Sequence, residues 1–474
     1  AMLKHIPAET PIVAAIHHPD MVFRFPELLE RNLRLAISGH YHTHQTFRED
    51  GALHSSPSTA LAAGVDGFPP AYRSYRMPAP DQCSTDSRDV RITYETANVT
   101  DQASLRKVLV RHVDWPHYIQ GCDGLETCWS KPLDGAVRRA TAVVAEGRVV
   151  VSPYDLDAYP VGRLQVFDLA SGEFVWSRRL GDGFFATPVV SDGLIYVQSV
   201  SGQAYAISLE DGYIVWRHDL GWKGGRCCTG RVVLEGDLAF VGDSTYFAAL
   251  QSANGIEMWA WPEVRAGGAF YGGSTAAGQG VVLVGNGYEE RGVITLNAET
   301  GELAWSVGDR RHARYSDAIF LDGCFYFCGP YDAVCVEANS GKVRWSAPCD
   351  TWTLPAPLVH RDKVFVAGSG GDLQALDRKS GEELWRTSLG RPMLPLMYNA
   401  TEPKGQLAGP VAYGDAVLSA SNDGNMYAIE PERGEVLRKY GFGIPLTSAP
   451  VVCGEHLIMA TPDGTLWKFK LHLA

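Results

Sequence analysis

Two histidine motifs near the N-terminus hold the residue types best suited to metal chemistry. His17 and His18 precede Pro19 in "PIVAAIHHP", and His40 and His42 lie in "SGHYHTH" after the apolar run "LRLAI". Imidazole nitrogens bind zinc, manganese and iron, and three histidines with one water make a catalytic zinc shell in other proteins. His17, His40 and His42 are therefore candidate ligands of a divalent metal (Zn, Mn or Fe).

The apolar pattern predicts the elements that would position these histidines. "PIVAAI" and "LRLAI" each predict a strand, and "LLERN" between them predicts a short helix. Both histidine motifs then follow the carboxyl end of a strand, where open α/β sheets build their sites. We therefore expect a partial α/β domain over residues 1–95, followed by a connector over residues 96–124.

The same motifs resemble the calcineurin-like metallophosphoesterases, whose late motifs are H-x-P and G-H-x-H. "HHP" supplies His17, "GHYH" supplies His40 and His42, and "GVDGFPPAY" is similar to the family's closing hairpin. The resemblance implies a two-metal phosphoester hydrolase, in which the cations polarise the phosphoryl group and activate a bridging water. The family's carboxylate motifs precede H-x-P, and the sixteen residues before His17 contain none of them.

The missing carboxylates lead us to expect a chain that is incomplete as a phosphatase. Half of an α/β domain would leave strand edges and apolar surface uncovered. We expect this segment to pack on the rest of the chain, to form a homodimer, or to be completed by another chain.

From about residue 125 the chain repeats a glycine turn followed by a tryptophan. Six copies read "SGEFVW", "DGYIVW", "NGIEMW", "TGELAW", "SGKVRW" and "SGEELW", with their tryptophans 40 to 46 residues apart. Hairpin signals and short apolar runs between them predict four antiparallel strands per repeat. A tryptophan at a fixed place in every repeat indicates packing between repeats rather than chemistry.

Two further copies complete the repeat. "RGEVLR" keeps Gly434 but has Arg438 in place of tryptophan, and the last copy has only three strands before the chain stops. Its missing outer strand has a candidate far upstream in "LETCWSKPL", around Trp129. The sequence therefore predicts a mainly β protein, with an eight-bladed propeller over residues 125–474 that is closed by pairing of its two ends. The repeat resembles the PQQ-like propeller family, which includes quinoprotein alcohol dehydrogenases and outer-membrane assembly lipoproteins.

The loops between blades should converge on one mouth of the central channel. Their arginines and aromatics suit a flat anionic ligand, and a protein partner could bind there instead. The candidate ligand-binding residues are Arg139, Arg226, Cys227, Cys228, Tyr271, Arg314 and Trp352, with Phe184 in the same loops. Adjacent cysteines resemble the disulfide that stacks on the quinone in the dehydrogenases, but the calcium-holding set of those enzymes has no match, so PQQ is not expected. "GDRRHARYSD" offers an alternative active site, with His312 as a general base beside Tyr315 and Asp317.

Composition narrows the classes of partner and compartment. The net charge is −12 and no basic run occurs, so nucleic acid is not expected as a partner. No apolar stretch approaches the length of a membrane helix, and no signal peptide is visible. Ten scattered cysteines without a C-x-x-C motif favour reduced, buried thiols. They indicate the cytoplasm, or an extracytoplasmic location if residues precede this sequence.

Three functional hypotheses follow. The first is a phosphoesterase and propeller protein, in which the propeller binds a ligand or partner and hydrolysis requires the intact domain. The second is a non-catalytic propeller that serves as a binding scaffold. The third is an enzyme whose active site lies at the propeller mouth, including a PQQ-dependent oxidoreductase.

Overall fold

The structure is a computed structural model. It describes a small part of residues 1–123 and most of residues 124–473. The described ranges are 7, 10–16, 28, 31–38, 45–49, 52–56, 71–76, 93–98, 124–135, 137, 140–153, 162–180, 183–184, 186–199, 202–221, 230–243, 246–261, 275–285, 292–308, 317–329, 332–349, 355–368, 371–390 and 407–473.

The N-terminal part contains one mixed sheet and one two-stranded sheet. Its strands are β1 (Ile12–Ile16), β2 (Leu33–Ser38), β3 (Gln45–Glu49), β4 (Ala52–Ser56), β5 (Ala71–Arg76) and β6 (Thr93–Asn98). The mixed sheet has the order β1-β2-β4-β3, with β1 and β4 parallel to β2 and β3 antiparallel to β4, and β5 pairs with β6. Leu33, Leu35 and Ala36 are buried on β2.

The two strands predicted around the histidine motifs are confirmed as β1 and β2. Of the helix predicted between them, Leu28 is helical, residues 31 and 32 form a turn, and residues 29 and 30 lie outside the described residues, so the α/β character of this segment stays a prediction. The predicted boundaries at residues 95 and 124 also remain predictions.

The remaining strands form eight four-stranded antiparallel sheets, the blades of a propeller. Blade 1 contains β8 (Val143–Ala145), β9 (Arg148–Val151), β10 (Arg163–Asp168) and β11 (Phe174–Arg179), and blade 2 contains β12 (Val189–Ser191), β13 (Leu194–Gln198), β14 (Gln203–Ser208) and β15 (Ile214–Asp219). Blade 3 contains β16 (Val233–Glu235), β17 (Leu238–Asp243), β18 (Tyr246–Gln251) and β19 (Glu257–Trp261), and blade 4 contains β20 (Thr275–Gly278), β21 (Val281–Gly285), β22 (Val293–Asn297) and β23 (Leu303–Val307).

Blades 5 to 7 continue the same order, and blade 8 takes one strand from far upstream. Blade 5 contains β24 (Ile319–Leu321), β25 (Cys324–Cys328), β26 (Asp332–Glu337) and β27 (Val343–Pro348), and blade 6 contains β28 (Leu358–His360), β29 (Lys363–Ala367), β30 (Asp372–Asp377) and β31 (Glu383–Ser388). Blade 7 contains β32 (Leu407–Tyr413), β33 (Ala416–Ser421), β34 (Asn425–Ile429) and β35 (Val436–Gly441). Blade 8 contains β36 (Val451–Cys453), β37 (His456–Thr461), β38 (Thr465–Leu471) and the upstream strand β7 (Leu125–Pro132).

Turn residues explain the tight link between the first two strands of each blade. In blade 2, Asp192 and Gly193 both adopt positive φ, at 51° and 71°. This is the mirror-image turn geometry that suits the twist of an antiparallel hairpin, and aspartate and glycine tolerate it best. The second and third strands of the blades are almost wholly buried, so the core lies between the faces of neighbouring blades.

The ring closes by pairing β38 with β7, which confirms the predicted strand pairing between the two ends of the repeat. Seven residue pairs join the two strands antiparallel, from Thr465 opposite Pro132 to Leu471 opposite Leu125. The N–H of His472 also donates to the carbonyl of Gly124 at 2.9 Å. Blade 8 is therefore a complete four-stranded sheet made from both ends of the propeller.

The tryptophan of each of the six motif copies packs against the next blade and donates a hydrogen bond to it. Trp216 of blade 2, for example, donates its indole N–H to the carbonyl of Ser252 at 2.7 Å. A Cβ built on Gly255 in blade 3 would lie 2.7 Å from the same indole. The other five tryptophans of the motif make the equivalent bond at 2.7 to 2.9 Å and cover the equivalent glycine. The packing role that the sequence predicts is confirmed.

Every outer strand also carries a β-bulge directly before its tryptophan or the equivalent residue. The register shifts leave one extra residue per blade. These bulge residues, for blades 1 to 8 in order, are Val175, Val215, Met258, Ala304, Arg344, Leu384, Leu437 and Cys128. Bulges interrupt pairing, so they protect the outer edges of the blades from unwanted strand addition.

Candidate binding surfaces

Almost all of the residues predicted to form a site lie outside the described residues. This holds for His17, His40, His42, Arg139, Arg226, Cys227, Cys228, Tyr271, His312, Arg314, Tyr315 and Trp352. Their assignments therefore remain predictions. Asp317 is described: it is partly buried and directly precedes Ala318 and β24. Phe184 is buried between blades 1 and 2, where its ring meets Tyr205 edge to face, so it contributes to the core.

The strand order brings the ends of β1 and β2 together at one edge of the mixed sheet. β1 ends at Ile16 and its parallel neighbour β2 ends at Ser38. His17 and His40 follow these ends by one and two residues. Among the residues that the structure describes, no group of three or more histidines, cysteines, aspartates and glutamates could hold a metal ion.

An arginine spans part of the propeller mouth. Arg231 precedes the inner strand β16 of blade 3, and its guanidinium Nη2 donates to the carbonyl of Ala318 in blade 5 at 3.2 Å. The bond passes across blade 4 at the point where the inner strands begin. The Nε of Arg231 is buried, with no acceptor among the described residues. A basic residue directly before an inner strand is a sequence signal that could have identified this position.

Small and hydroxyl-bearing residues line the rest of the described mouth. A Cβ on Gly409 of blade 7 would lie 3.2 Å from Pro355 and 3.6 Å from Ala449, so the inner strands of blades 6 to 8 converge closely here. The hydroxyls of Thr447 and Ser448 are buried without a partner among the described residues. The described residues directly before the inner strands thus include one arginine, Arg231, one aspartate, Asp317, and the buried hydroxyls of Thr447 and Ser448.

The outer rim of the propeller exposes apolar side chains unevenly. Among the described residues, five lie on the neighbouring blades 1 to 3 and four on blades 4, 6 and 7. They are Phe174, Tyr213, Val215, Ile256 and Met258, and then Leu303, Leu384, Val436 and Leu437. Ile256 and Met258 on blade 3 are 58% and 57% exposed. Blades 1 to 3 therefore offer the most concentrated apolar rim.

Most of the described cysteines are buried thiols, as the sequence predicts. Cys324, Cys328, Cys335 and Cys349 lie in the core between blades 5 and 6, and none of the described cysteines forms a disulfide. Burial raises the pKa of the Cys335 thiol to about 12. Because the thiolate is the reactive form, this cluster is poorly suited to redox or nucleophilic chemistry.

No helix in the part of the chain that the structure describes is both long enough and apolar enough to span a membrane.

The eight four-stranded blades and the closed ring define a class of protein, the PQQ-like eight-bladed β-propellers. A family model described as "Outer membrane protein assembly factor BamB" matches residues 123–262, 214–319, 322–405 and 371–472. The chain belongs to this family. The matched ranges begin at residue 123, so they lend no support to the phosphoesterase resemblance of residues 1–95.

Individual relatives are distant. The outer membrane protein assembly factor BamB of Burkholderia pseudomallei is 22% identical over 314 residues, which cover 63% of this chain and 67% of the relative. The dehydrogenase subunit of a quinone alcohol dehydrogenase from Acetobacter aceti is 24% identical over 331 residues, 60% of this chain and 44% of the relative. The crystal structure of BamB from Moraxella catarrhalis superposes with a TM-score of 0.58 at 16% identity, over 73% of this chain and all of the other. This structural likeness shows the shared fold.

Proposed function

We propose that the chain is a non-catalytic binding scaffold that assembles with a protein partner in the biogenesis of outer membrane proteins. The family match over residues 123–472 carries the proposal. It is supported by the closed ring, whose packing tryptophans and paired ends make a rigid platform, and by buried thiols with a raised pKa. Of the three sequence hypotheses, this is the scaffold alternative rather than the phosphoesterase.

The same relatives favour an extracytoplasmic location. The cytoplasmic assignment rested on scattered cysteines and the lack of a visible signal peptide, and the family does not support it. Buried thiols do not require a reducing compartment, because a neutral, inaccessible thiol reacts slowly with oxidants. We therefore propose that the propeller works in the envelope, on the inner side of the outer membrane.

Deletion of the encoding gene tests this function directly. Quantitative mass spectrometry of the outer membrane fraction should show reduced levels of its β-barrel proteins, and a plasmid copy should restore them. A plasmid copy with His17→Ala, His40→Ala and His42→Ala should restore them equally, because a scaffold does not use the metal motif. Unchanged β-barrel proteins in the deletion strain would refute the proposal.

The mouth is the proposed site for a small anionic ligand or a partner loop. Arg231 supplies one described cation there, and Arg139, Arg226 and Arg314 belong to the loops that should surround it. Charge reversal at Arg226 and Arg314 should abolish restoration in the deletion strain while leaving the thermal midpoint unchanged. Full restoration by that double variant would move the binding site away from the mouth.

Metal-dependent phosphoester hydrolysis is a second candidate, which rests on the parallel pairing of β1 with β2. That pairing brings Ile16 and Ser38, the last residues of the two strands, side by side, and the histidine motifs follow them in the sequence, which suits a shared metal site. Plasma mass spectrometry should then find Zn, Mn or Fe in the purified chain and not in a His40→Ala/His42→Ala variant. Equal metal contents, with no hydrolysis of bis-p-nitrophenyl phosphate, would remove this candidate.

A further inference from the structure

The turn before the outer strand of blade 3 differs from its counterparts in one residue. It reads "QSANGIE", with Asn254 directly before the turn glycine, Gly255. At the position of Asn254, blades 1, 5 and 6 have serine, blade 2 aspartate, blade 4 threonine and blade 7 arginine. An asparagine followed by glycine loses its side-chain ammonia readily, because no side chain on the glycine hinders attack by the glycine nitrogen. Among these seven turns, blade 3 alone carries this chemistry.

The reaction is intramolecular and consumes one water. The backbone nitrogen of Gly255 gives up its proton and attacks the side-chain carbon Cγ of Asn254. The N–Cγ bond forms, the Cγ–Nδ2 bond breaks and ammonia leaves, so a five-membered succinimide results. Water then opens this ring at either of its two carbonyls. One opening gives aspartate with the original main chain, and the other gives isoaspartate, whose main chain is one carbon longer.

In the folded protein, hydrogen bonds hold each group that this reaction must move. The N–H of Gly255 donates to the carbonyl of Gln251 at 2.8 Å. The side-chain Nδ2 of Asn254 donates to Oε1 of Gln251 at 2.8 Å, and its Oδ1 accepts from the N–H of Ile256 at 3.0 Å. Asn254 is exposed to water, yet the attack requires the amide to turn and the Gly255 N–H to lose its proton. These bonds must therefore break first.

The neighbouring blade keeps this turn in place. The indole of Trp216 lies over Gly255, 2.7 Å from the position of a Cβ there, and its N–H donates to the carbonyl of Ser252 at 2.7 Å. The hydroxyl of Tyr196, also in blade 2, donates to the same carbonyl at 3.4 Å. The backbone of the turn is thus held from blade 2 at two of its residues. Opening of the turn requires the indole to withdraw, which is a local separation of blades 2 and 3.

We propose that Asn254 is a deamidation site whose rate is set by local separation of blades 2 and 3. While Trp216 covers Gly255, the hydrogen bonds of the turn keep the asparagine intact. Once the contact opens, the turn is free to reach the geometry of attack. The observed rate is then the rate in an open turn multiplied by the fraction of molecules whose turn is open.

The two products differ in their effect on the ring. Blade 2 has Asp211 at the equivalent position, where Oδ1 accepts from the N–H of Tyr213 at 3.0 Å, as Oδ1 of Asn254 does from Ile256. An ordinary aspartate therefore fits such a turn. Isoaspartate lengthens the main chain by one carbon directly before Gly255, so this glycine no longer fits under the indole. Its formation makes the separation of the two blades permanent.

Peptide mass spectrometry of the full chain measures the rate at Asn254 during incubation at mildly alkaline pH, below the unfolding temperature of every variant. A synthetic peptide of residues 251–259 gives the rate in an open turn, and the native chain should be at least about tenfold slower. Trp216→Ala uncovers Gly255 and should accelerate deamidation of the native chain about tenfold. Trp345→Ala is the matched control, because Trp345 is equally buried at 6% and donates the equivalent bond to Arg378, between blades 5 and 6. It should leave the rate at Asn254 unchanged.

Trp216→Phe keeps a ring over Gly255 and loses only the bond to Ser252, so it should give a smaller acceleration and serves if the alanine variant does not fold. Three results would overturn the proposal. They are a native rate equal to that of the peptide, no acceleration by either Trp216 variant, and equal acceleration by the same changes at Trp345, which would make the opening global.

The effect of isoaspartate has its own test. Wild-type chain that has accumulated isoaspartate at position 254 should unfold at a lower urea concentration than fresh chain. Asn254→Ser has the residue that three other blades carry at this position and cannot deamidate there, so its stability should not change during the same incubation. An equal loss of stability in Asn254→Ser would show that isoaspartate does not weaken the contact.

Discussion

We call the contact between two neighbouring blades a joint. At six joints a tryptophan of one blade donates a hydrogen bond to the next blade, whereas the two joints on either side of blade 8 depart from that pattern. Between blades 7 and 8, Arg438 covers Gly124, with its guanidinium 2.6 Å from the position of a Cβ there. Its Nη1 lies 3.4 Å from the carbonyl of His472, and its guanidinium carbon lies 5.7 Å from the centre of the Tyr440 ring. Between blades 8 and 1, Trp129 covers Gly172, but its indole N–H has no partner among the described residues.

The difference shows which part of the repeat contact is essential. A flat group over a glycine occurs at all eight joints, while the two joints of blade 8 have no indole hydrogen bond among the described residues. The joint between blades 7 and 8 is packed by the aromatic cluster of Phe442, Trp467 and Phe469, and blade 8 itself is completed by strand pairing between β7 and β38. Ring closure therefore depends on backbone pairing at one blade and on side-chain packing at the others.

The largest expected effect comes from removing a complete tryptophan joint. Trp216→Ala deletes an indole that is 6% exposed together with its bond to Ser252. We expect the free energy of unfolding to fall by about 3 to 5 kcal/mol, as for other large aromatic truncations in cores. Urea unfolding followed by circular dichroism would measure it. A loss below about 1 kcal/mol would mean that the tryptophan joints do not hold the ring together.

The glycines beneath the flat groups should follow next. Gly255→Ala places a methyl 2.7 Å from the Trp216 ring at a φ of +73°, so both strain and a clash oppose it. We expect a loss of about 2 to 3 kcal/mol, compared with about 1 kcal/mol for Gly454→Ala, which has positive φ but open space around it. Thermal unfolding of the two variants gives the comparison.

Gly124→Ala separates the two kinds of joint. Its methyl would meet the end of the flexible Arg438 side chain, which can move aside more readily than a buried indole. Its cost should therefore be close to that of Gly454→Ala. A cost as large as that of Gly255→Ala would make the arginine joint as rigid as a tryptophan joint.

The arginine joint itself should contribute less. Arg438→Ala removes a long, weak hydrogen bond and a cation–π contact, so the expected loss is about 1 kcal/mol. Equilibrium unfolding in urea at low and high salt would test it, and the difference from wild type should shrink with salt. A loss equal to that of Trp216→Ala would contradict the distinction between the joints.

The smallest effect concerns the buried thiols of the joint between blades 5 and 6. The Cys335 thiol ionises near pH 9.0 when exposed, and burial in the folded chain raises its pKa to about 12. The folded state therefore keeps a proton that the unfolded state loses. The contribution to stability is complete below pH 9 and declines as the pH rises from 9 toward 12. The stability difference between wild type and Cys335→Ala should accordingly decrease between pH 8 and pH 10.5, and a constant difference would contradict the assignment.

Cys128 on β7 is exposed and should react with thiol reagents in the native protein far faster than Cys335.

Sequence patterns predicted the propeller in some detail because its contacts recur. Glycine and tryptophan return at nearly constant spacing, and each pair reports the same joint, so the number of blades and the closing strand around Trp129 could both be inferred. The contact that Arg231 makes at the mouth could not be predicted in this way. Arg231 contacts Ala318 across an intervening blade, and no local pattern announces a contact between residues 87 positions apart.

The rim was also missed, for a different reason. Ile256 and Met258 belong to the same repeat as Trp259, so their apolar character is consistent with packing as well as with exposure. Only the bulge and the strand order reveal that these two side chains face solvent.

The sequence by itself determined the repeat, the turn glycines, the packing tryptophans and the closing strand, because each of these is a short-range pattern tied to backbone geometry. The tertiary structure alone decided which blades expose apolar side chains on the rim, and which arginine reaches across the mouth. Both depend on residues that are far apart in the chain and become neighbours only when the ring closes, so their free energies of contact are set by the fold and not by any local run of amino acids.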